Sequence, residues 1–134
     1  MNVRCIVVAA LLAGFAGTSA RAHHSVEEKY DIARLVEISG TITKVELANP
    51  HVVLELATTG AEPATWRVEL APPRTLERHG IDLRELFAVG RAITIESWLA
   101  KDGGRQASGR QLVTADGARF DVGDSLGWKM NKTP

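Results

Sequence analysis

Gly40–Leu56, GTITKVELANPHVVLEL, carries two β-rich runs around an Ala48-Asn49-Pro50-His51 connection. Thr, Val, Ile and Leu fill both runs, and such side chains suit a pleated, half-buried surface. Pro50 fixes its own φ and keeps Asn49 out of the helical region, so the chain turns there and begins a new strand at His51. In the second run Val52, Leu54 and Leu56 form one face, while His51, Val53 and Glu55 form the other. That period of two predicts a strand with one face on a core. Upstream, Val36, Ile38 and Ile42 share one parity but Val45 and Leu47 share the other. A one-residue slip sends every later side chain to the opposite face, so this switch predicts a bulge or a sharply coiled strand close to Gly40.

Outward from this hairpin, Thr59–Pro63 reads as a turn and Ala64–Leu70 as a third strand, with Trp66, Val68 and Leu70 opposite Arg67 and Glu69. Pro72-Pro73 opens a short helix over Arg74–His79, and Gly80 closes it. Asp82 to Glu85 has the spacing of a capping box for one further turn. A fourth strand follows over Arg91–Ala100, with Ile93, Ile95 and Leu99 inward, and a fifth over Arg105–Ala115, interrupted by Ser108-Gly109. Turns at Asp102-Gly103-Gly104 and Asp116-Gly117 join these to a short run, Arg119–Val122. Three strands, a short helix and two more strands is the order of an all-β, OB-fold-like five-stranded barrel with a small α insertion between strands 3 and 4. A small β-sandwich of the same strands is the alternative.

The first 22 residues read differently. Met1–Arg4 is a short basic start, Cys5–Ala16 is apolar, and Ala20 and Ala22 place small residues where a signal peptidase cuts. This predicts a secretory signal peptide over residues 1–22, cleaved after Ala22, and a periplasmic or secreted bacterial protein. The remainder divides into an N-terminal arm (23–33), the barrel domain (34–122) and a flexible tail (123–134). The single cysteine, Cys5, departs with the leader, which excludes disulfides, thiolate nucleophiles and cysteine zinc sites. The 16 basic and 16 acidic residues become slightly acidic once Arg4 and Arg21 are lost, giving no electrostatic drive onto nucleic acid. No second long apolar run offers a membrane span to the mature form.

Cleavage after Ala22 creates the first chemical constellation. The new α-amine and the His23 imidazole can chelate one ion from a single residue, with His24 assisting. His51, held at a strand start by Pro50, offers a second imidazole. Three nitrogens in tetragonal geometry favour Cu(II). The metal candidates are therefore His23, His24 and His51, acting in a carrier or scavenger rather than a catalyst. His79 beside Gly80 reads as a helix C-cap.

The second constellation is Glu69, Arg67 and Trp98, the candidates for a non-metal site that takes a small ligand or an envelope protein. Glu55 and Glu69 are a conceivable carboxylate pair for hydrolysis, but alternating strands place charges outward routinely, and salt bridging to Arg67 or Lys44 is the stronger expectation. An oxidase built on the N-terminal histidine chelate is the other enzymatic alternative. No nucleophile elbow, metalloprotease helix, phosphate loop or dinucleotide fingerprint is present.

Ala22-His23-His24-Ser25, Tyr30-Asp31, Gly40-Thr41 leading to Asn49-Pro50-His51, Trp66 with Glu69, Pro73 through Leu76, Arg78, Gly80 and Ala115-Asp116-Gly117 together resemble a known family. It is the set of small exported bacterial proteins grouped as domain of unknown function 6152. The resemblance spans nearly the whole mature chain. Ala88-Val89-Gly90-Arg91 departs from the Pro-Gly-Asp that relatives usually carry. Membership implies export and a small β-domain, and it implies no particular activity.

Overall fold

The computed structural model describes residues 26–124. The expected signal peptide, His23, His24 and the expected tail from residue 125 lie outside the described residues. The elements are α1 (Val26–Lys29), β1 (Tyr30–Leu47), β2 (Val52–Thr58), β3 (Ala64–Glu69), α2 (Pro73–Arg78), α3 (Leu83–Leu86), β4 (Ala92–Ala100), β5 (Gln106–Thr114) and β6 (Arg119–Asp121). The protein is all-β with small helices, and its strands form one sheet in the order β3-β2-β1-β4-β5-β6.

β1 is long enough to serve two neighbours. Its second half, from Thr41, pairs antiparallel with β2, and its first half pairs antiparallel with β4. β3 pairs antiparallel with β2 and, through Arg67–Glu69, parallel with Gln106–Ser108 of β5. That last pairing closes β1, β2, β3, β5 and β4 into a ring, so the two separate sheets of the sandwich alternative do not form. β5 divides its outer edge, giving its start to β3 and residues 111–113 to β6.

The parity switch in β1 has the predicted cause. The register with β2 slips between Ile42 and Lys44, leaving Thr43 as the extra residue, and its Oγ1 donates to the Glu55 carbonyl at 3.2 Å. Ile38 and Ile42 are buried before the slip, and Val45 packs against the core after it. Leu47, of the same parity as Val45, is 48% exposed at the end of the strand. Gly40 permits the coil: a Cβ there would stand 2.7 Å from the Ala57 carbonyl oxygen.

A second bulge falls between β4 and β5. Ser97 pairs with Gly109 and Glu96 with Gln111, so Arg110 is the extra residue. Gly109 was expected to weaken β5, yet the core requires it. An added Cβ would lie 2.6 Å from both Ile95 Cδ1 and Leu70 Cδ2. The Arg110 carbonyl accepts from the N–H groups of Val122 and Gly123 at 2.8 and 3.2 Å. Val122 and Gly123 are both buried, so the packed chain runs past the expected boundary at 122.

The two helices between β3 and β4 add their apolar side chains to the core. α2 starts on Pro73, one residue earlier than read, and Leu76 is its buried anchor. α3 is capped by Asp82, whose carboxylate accepts from the N–H groups of Arg84 and Glu85, both at 3.0 Å. Leu83, Leu86 and Phe87 then join the core with Leu54, Leu56, Ile95 and Leu112.

The expected arm before the barrel is corrected. Val26–Lys29 forms one helical turn, and β1 begins at Tyr30 instead of Arg34. Lys101 fastens this turn to the ring at two points: its N–H donates to the Lys29 carbonyl at 3.0 Å and its Nζ to the Glu27 carbonyl at 2.6 Å. Tyr30 pairs with Ala100 and Leu35 with Trp98, so residues 31–34 bow outward between them. Among the described residues no helix is long and apolar enough to cross a membrane.

Candidate functional site

His51 stands between the Asn49–Pro50 peptide, which is cis, and the first residue of β2. Its Nδ1 lies 3.0 Å from the Leu70 carbonyl oxygen. A carbonyl only accepts, so Nδ1 carries a proton and donates it, which leaves Nε2 as the nitrogen outside this bond. A backbone acceptor on the distal nitrogen is the usual way a protein orients a histidine toward a metal. Leu70 supplies it because its own N–H is committed to the Val52 carbonyl at 2.8 Å, which fixes the end of β3 beside His51.

His51 lines a cleft of about 430 Å³ together with α1, Tyr30, Glu69, Ser108 and Asp124. The register explains the meeting of His51 and Glu69. Val53 pairs with Glu69, and His51 lies two residues before Val53 on the same face, so His51 and Glu69 are diagonal neighbours. Tyr30 and Val53 are buried on this side without belonging to the main core cluster.

Glu69 makes an ion pair with Lys29, Nζ to Oε1, at 2.6 Å. Burial pushes the Glu69 carboxyl up, but the Lys29 ammonium, the Tyr30 phenol and the nearby His51 outweigh it and hold the group below the ordinary carboxylate range. Tyr30 is pushed the other way. Burial first, and then the Glu69 carboxylate, raise its phenol far above the usual tyrosine value. The hydroxyl therefore stays protonated, and it faces the Glu69 carboxylate. Lys29 Nζ also lies 5.1 Å from the Tyr30 ring centre. The cleft thus gathers the His51 ring, the Glu69 carboxylate and the Tyr30 hydroxyl around one lysine.

The other residues named from sequence go elsewhere. Arg67 Nη2 reaches Glu46 at 3.4 Å, within a surface chain in which Lys44 bonds Glu46 at 2.9 Å and lies 3.7 Å from Glu55. The Glu46 carboxyl is held low, by Lys44 and then by Arg67, and the Lys44 ammonium is raised by the same partner. Glu55 and Glu69 therefore have different cationic partners, and the expected bridge from Glu69 to Arg67 is replaced by one to Lys29. Trp98 is half-buried and its ring is covered by the Arg110 guanidinium, 4.8 Å from the ring centre. The Trp98 face is thus occupied by the protein's own cation. His79 is the C-cap of α2, its Nδ1 donating to the Thr75 carbonyl at 2.8 Å.

Of the sequence candidates, then, His51 and Glu69 share the cleft, while Arg67 and Trp98 do not line it. The two cleft residues that meet Glu69 were missed. Lys29 and Tyr30 sat in a stretch read as a polar arm, where the lone aromatic among charged residues was the available signal. No group of three or more His, Cys, Asp or Glu side chains is poised to hold a metal ion among the described residues.

No curated protein matches the chain. A family model matches residues 11–110, a span that takes in α1, both ends of the cleft-forming hairpin, and the strands of the ring up to Arg110 in β5. The protein belongs to the family of unknown function DUF6152.

Proposed function

We propose that this is an exported binding module that holds one metal ion, with copper(II) favoured, in the cleft beside His51. The observation that carries the reading is the bond from His51 Nδ1 to the Leu70 carbonyl: with Nδ1 spent there, Nε2 is the nitrogen left to ligate. Two described residues are too few for a transition-metal site, and the residues able to complete it are His23 and His24. Val26 lines the cleft, and His23 precedes it by three residues, a covalent reach of at most about 11 Å in an extended chain. Cleavage after Ala22 would supply the α-amine and the His23 imidazole within that reach. Nitrogen donors of this kind suit Cu(II), which also stands highest in the divalent affinity series. On this reading the module is a carrier or scavenger.

The test is a Cu(II) titration followed by EPR on protein exported and processed in cells. It is run beside His51→Ala and a version with one residue added before His23. One-to-one binding with nitrogen hyperfine structure, lost in both altered proteins, is the expected result. Binding of equal strength in all three proteins would sink the reading and return the cleft to a non-metal ligand.

A further inference from the structure

We propose that α1 is a latched gate on the cleft: it turns about Tyr30, and Lys29 and Lys101 hold it closed over His51. The inference rests on the reading of the cleft as a binding site and adds a control on entry, whatever the ligand is.

Three observations carry it. First, α1 supplies Val26, Glu28 and Lys29 to the cleft lining, while His51, Glu69, Leu70 and Ser108 come from the strands and their ends. Moving α1 therefore changes access to His51 and leaves the ring as it is. Second, α1 has no buried residue, and one helical turn is far too short to persist in water unaided. Side chains fasten it: Lys29 Nζ sits on Glu69 at 2.6 Å, and Lys101 Nζ donates to the Glu27 carbonyl at 2.6 Å. Third, the residue after α1 is fixed. Tyr30 is 3% exposed and pairs with Ala100, and the Lys101 N–H donates to the Lys29 carbonyl at 3.0 Å. A lightly held segment that ends on a buried side chain is a lever with a pivot.

The latches lie open to solvent, and the Lys29 side chain is 45% exposed. Ion pairs so exposed add little net stability, so α1 opens far more often than the ring unfolds. Salt screens such a pair, and the gate opens more often as ionic strength rises. Lys101 acts at both points, with its backbone at the pivot and its ammonium at the latch. It does not line the cleft, so replacing its side chain frees the latch without altering a group beside His51.

The experiment labels the histidines of the folded protein with diethyl pyrocarbonate and reads each site by peptide mass spectrometry. His79 is the internal reference, since it also spends Nδ1 on a backbone carbonyl but stands exposed at the end of α2. The ratio of His51 to His79 labelling should rise several-fold in Lys101→Met and Lys29→Met, and stay at the wild-type value in Lys29→Arg, which keeps the pair. In wild type it should also rise with salt, and by less in Lys29→Met. Circular dichroism checks the fold of each protein, and Lys29→Met carries the test should Lys101→Met unfold. A ratio equal in wild type and the methionine variants at low and high salt would overturn the gate and leave the metal reading standing. A ratio that rises as expected in a protein that binds no Cu(II) would support the gate and remove the metal.

Discussion

The Arg110 guanidinium lies over the Trp98 ring, 4.8 Å from its centre, and Arg110 Nη1 also donates to Glu96 at 3.3 Å. Both partners are on β4, and Arg110 reaches them because the bulge in β5 gives it no opposite residue of its own. A cation held over an indole contributes about 0.5–1 kcal/mol when partly exposed. A double-mutant cycle on Arg110→Ala and Trp98→Leu should return a coupling of about that size in urea unfolding. A coupling of zero would mean that the stacking adds nothing beyond the separate packing of the two side chains.

Tyr30 is the sole tyrosine of the chain, so absorbance at 295 nm reports it without ambiguity. Its phenol is raised, by burial and by the Glu69 carboxylate, while the unfolded phenol ionises near about 10. The native state therefore holds a proton that the unfolded state gives up. Stability from this group is fully present below about pH 10 and is lost as pH rises above it. The expected result is a native protein silent at 295 nm up to pH 11, with tyrosinate appearing cooperatively as circular dichroism is lost. A smooth ionisation centred near pH 10 in folded protein would contradict the burial of this hydroxyl.

Gly109→Ala should destabilise the protein even though the change lowers the entropy of the unfolded chain. That entropy gain is about 0.4–1 kcal/mol. Against it, the new methyl would meet Ile95 and Leu70, both fully buried, and overpacking of this kind costs about 1–3 kcal/mol. Gly104→Ala is the control, because its Cβ would face only the exposed Asp102 carboxylate at 3.1 Å. Chemical denaturation should show a lowered midpoint for Gly109→Ala and a change within about 0.5 kcal/mol for Gly104→Ala.

Much of this architecture is legible in residue patterns. The Val52, Leu54, Leu56 alternation places β2 correctly because one face of that strand is wholly enclosed. The parity switch in β1 locates its bulge to within three residues, at Thr43 rather than Gly40, because a slip in register must show as a slip in hydrophobic phase. Asp82 declares α3 because a four-residue helix has little to hold it except its cap. The cleft was harder. His51 was visible through Pro50, but its partner at Leu70 depends on a strand register that no local pattern encodes. Lys29 and Tyr30 come from a turn whose placement is set by Lys101, 72 residues downstream of Lys29. Charges on β3 could be assigned to a face but not to partners, since Arg67 and Glu69 alternate identically whether they meet each other, Glu46 or Lys29.

Val26 and Asp124 line the same cleft, although they stand at opposite ends of the described chain. The sheet ring returns its two ends to one doorway, which makes the domain a candidate for circular permutation. Joining these ends with a short flexible bridge and opening the chain at the exposed Asp102-Gly103 turn would leave the strand pairings uninterrupted. Such a permutant would carry no free amine at the cleft. It would separate what the folded ring does by itself from what a processed N-terminus brings to it, without altering one side chain of the cleft.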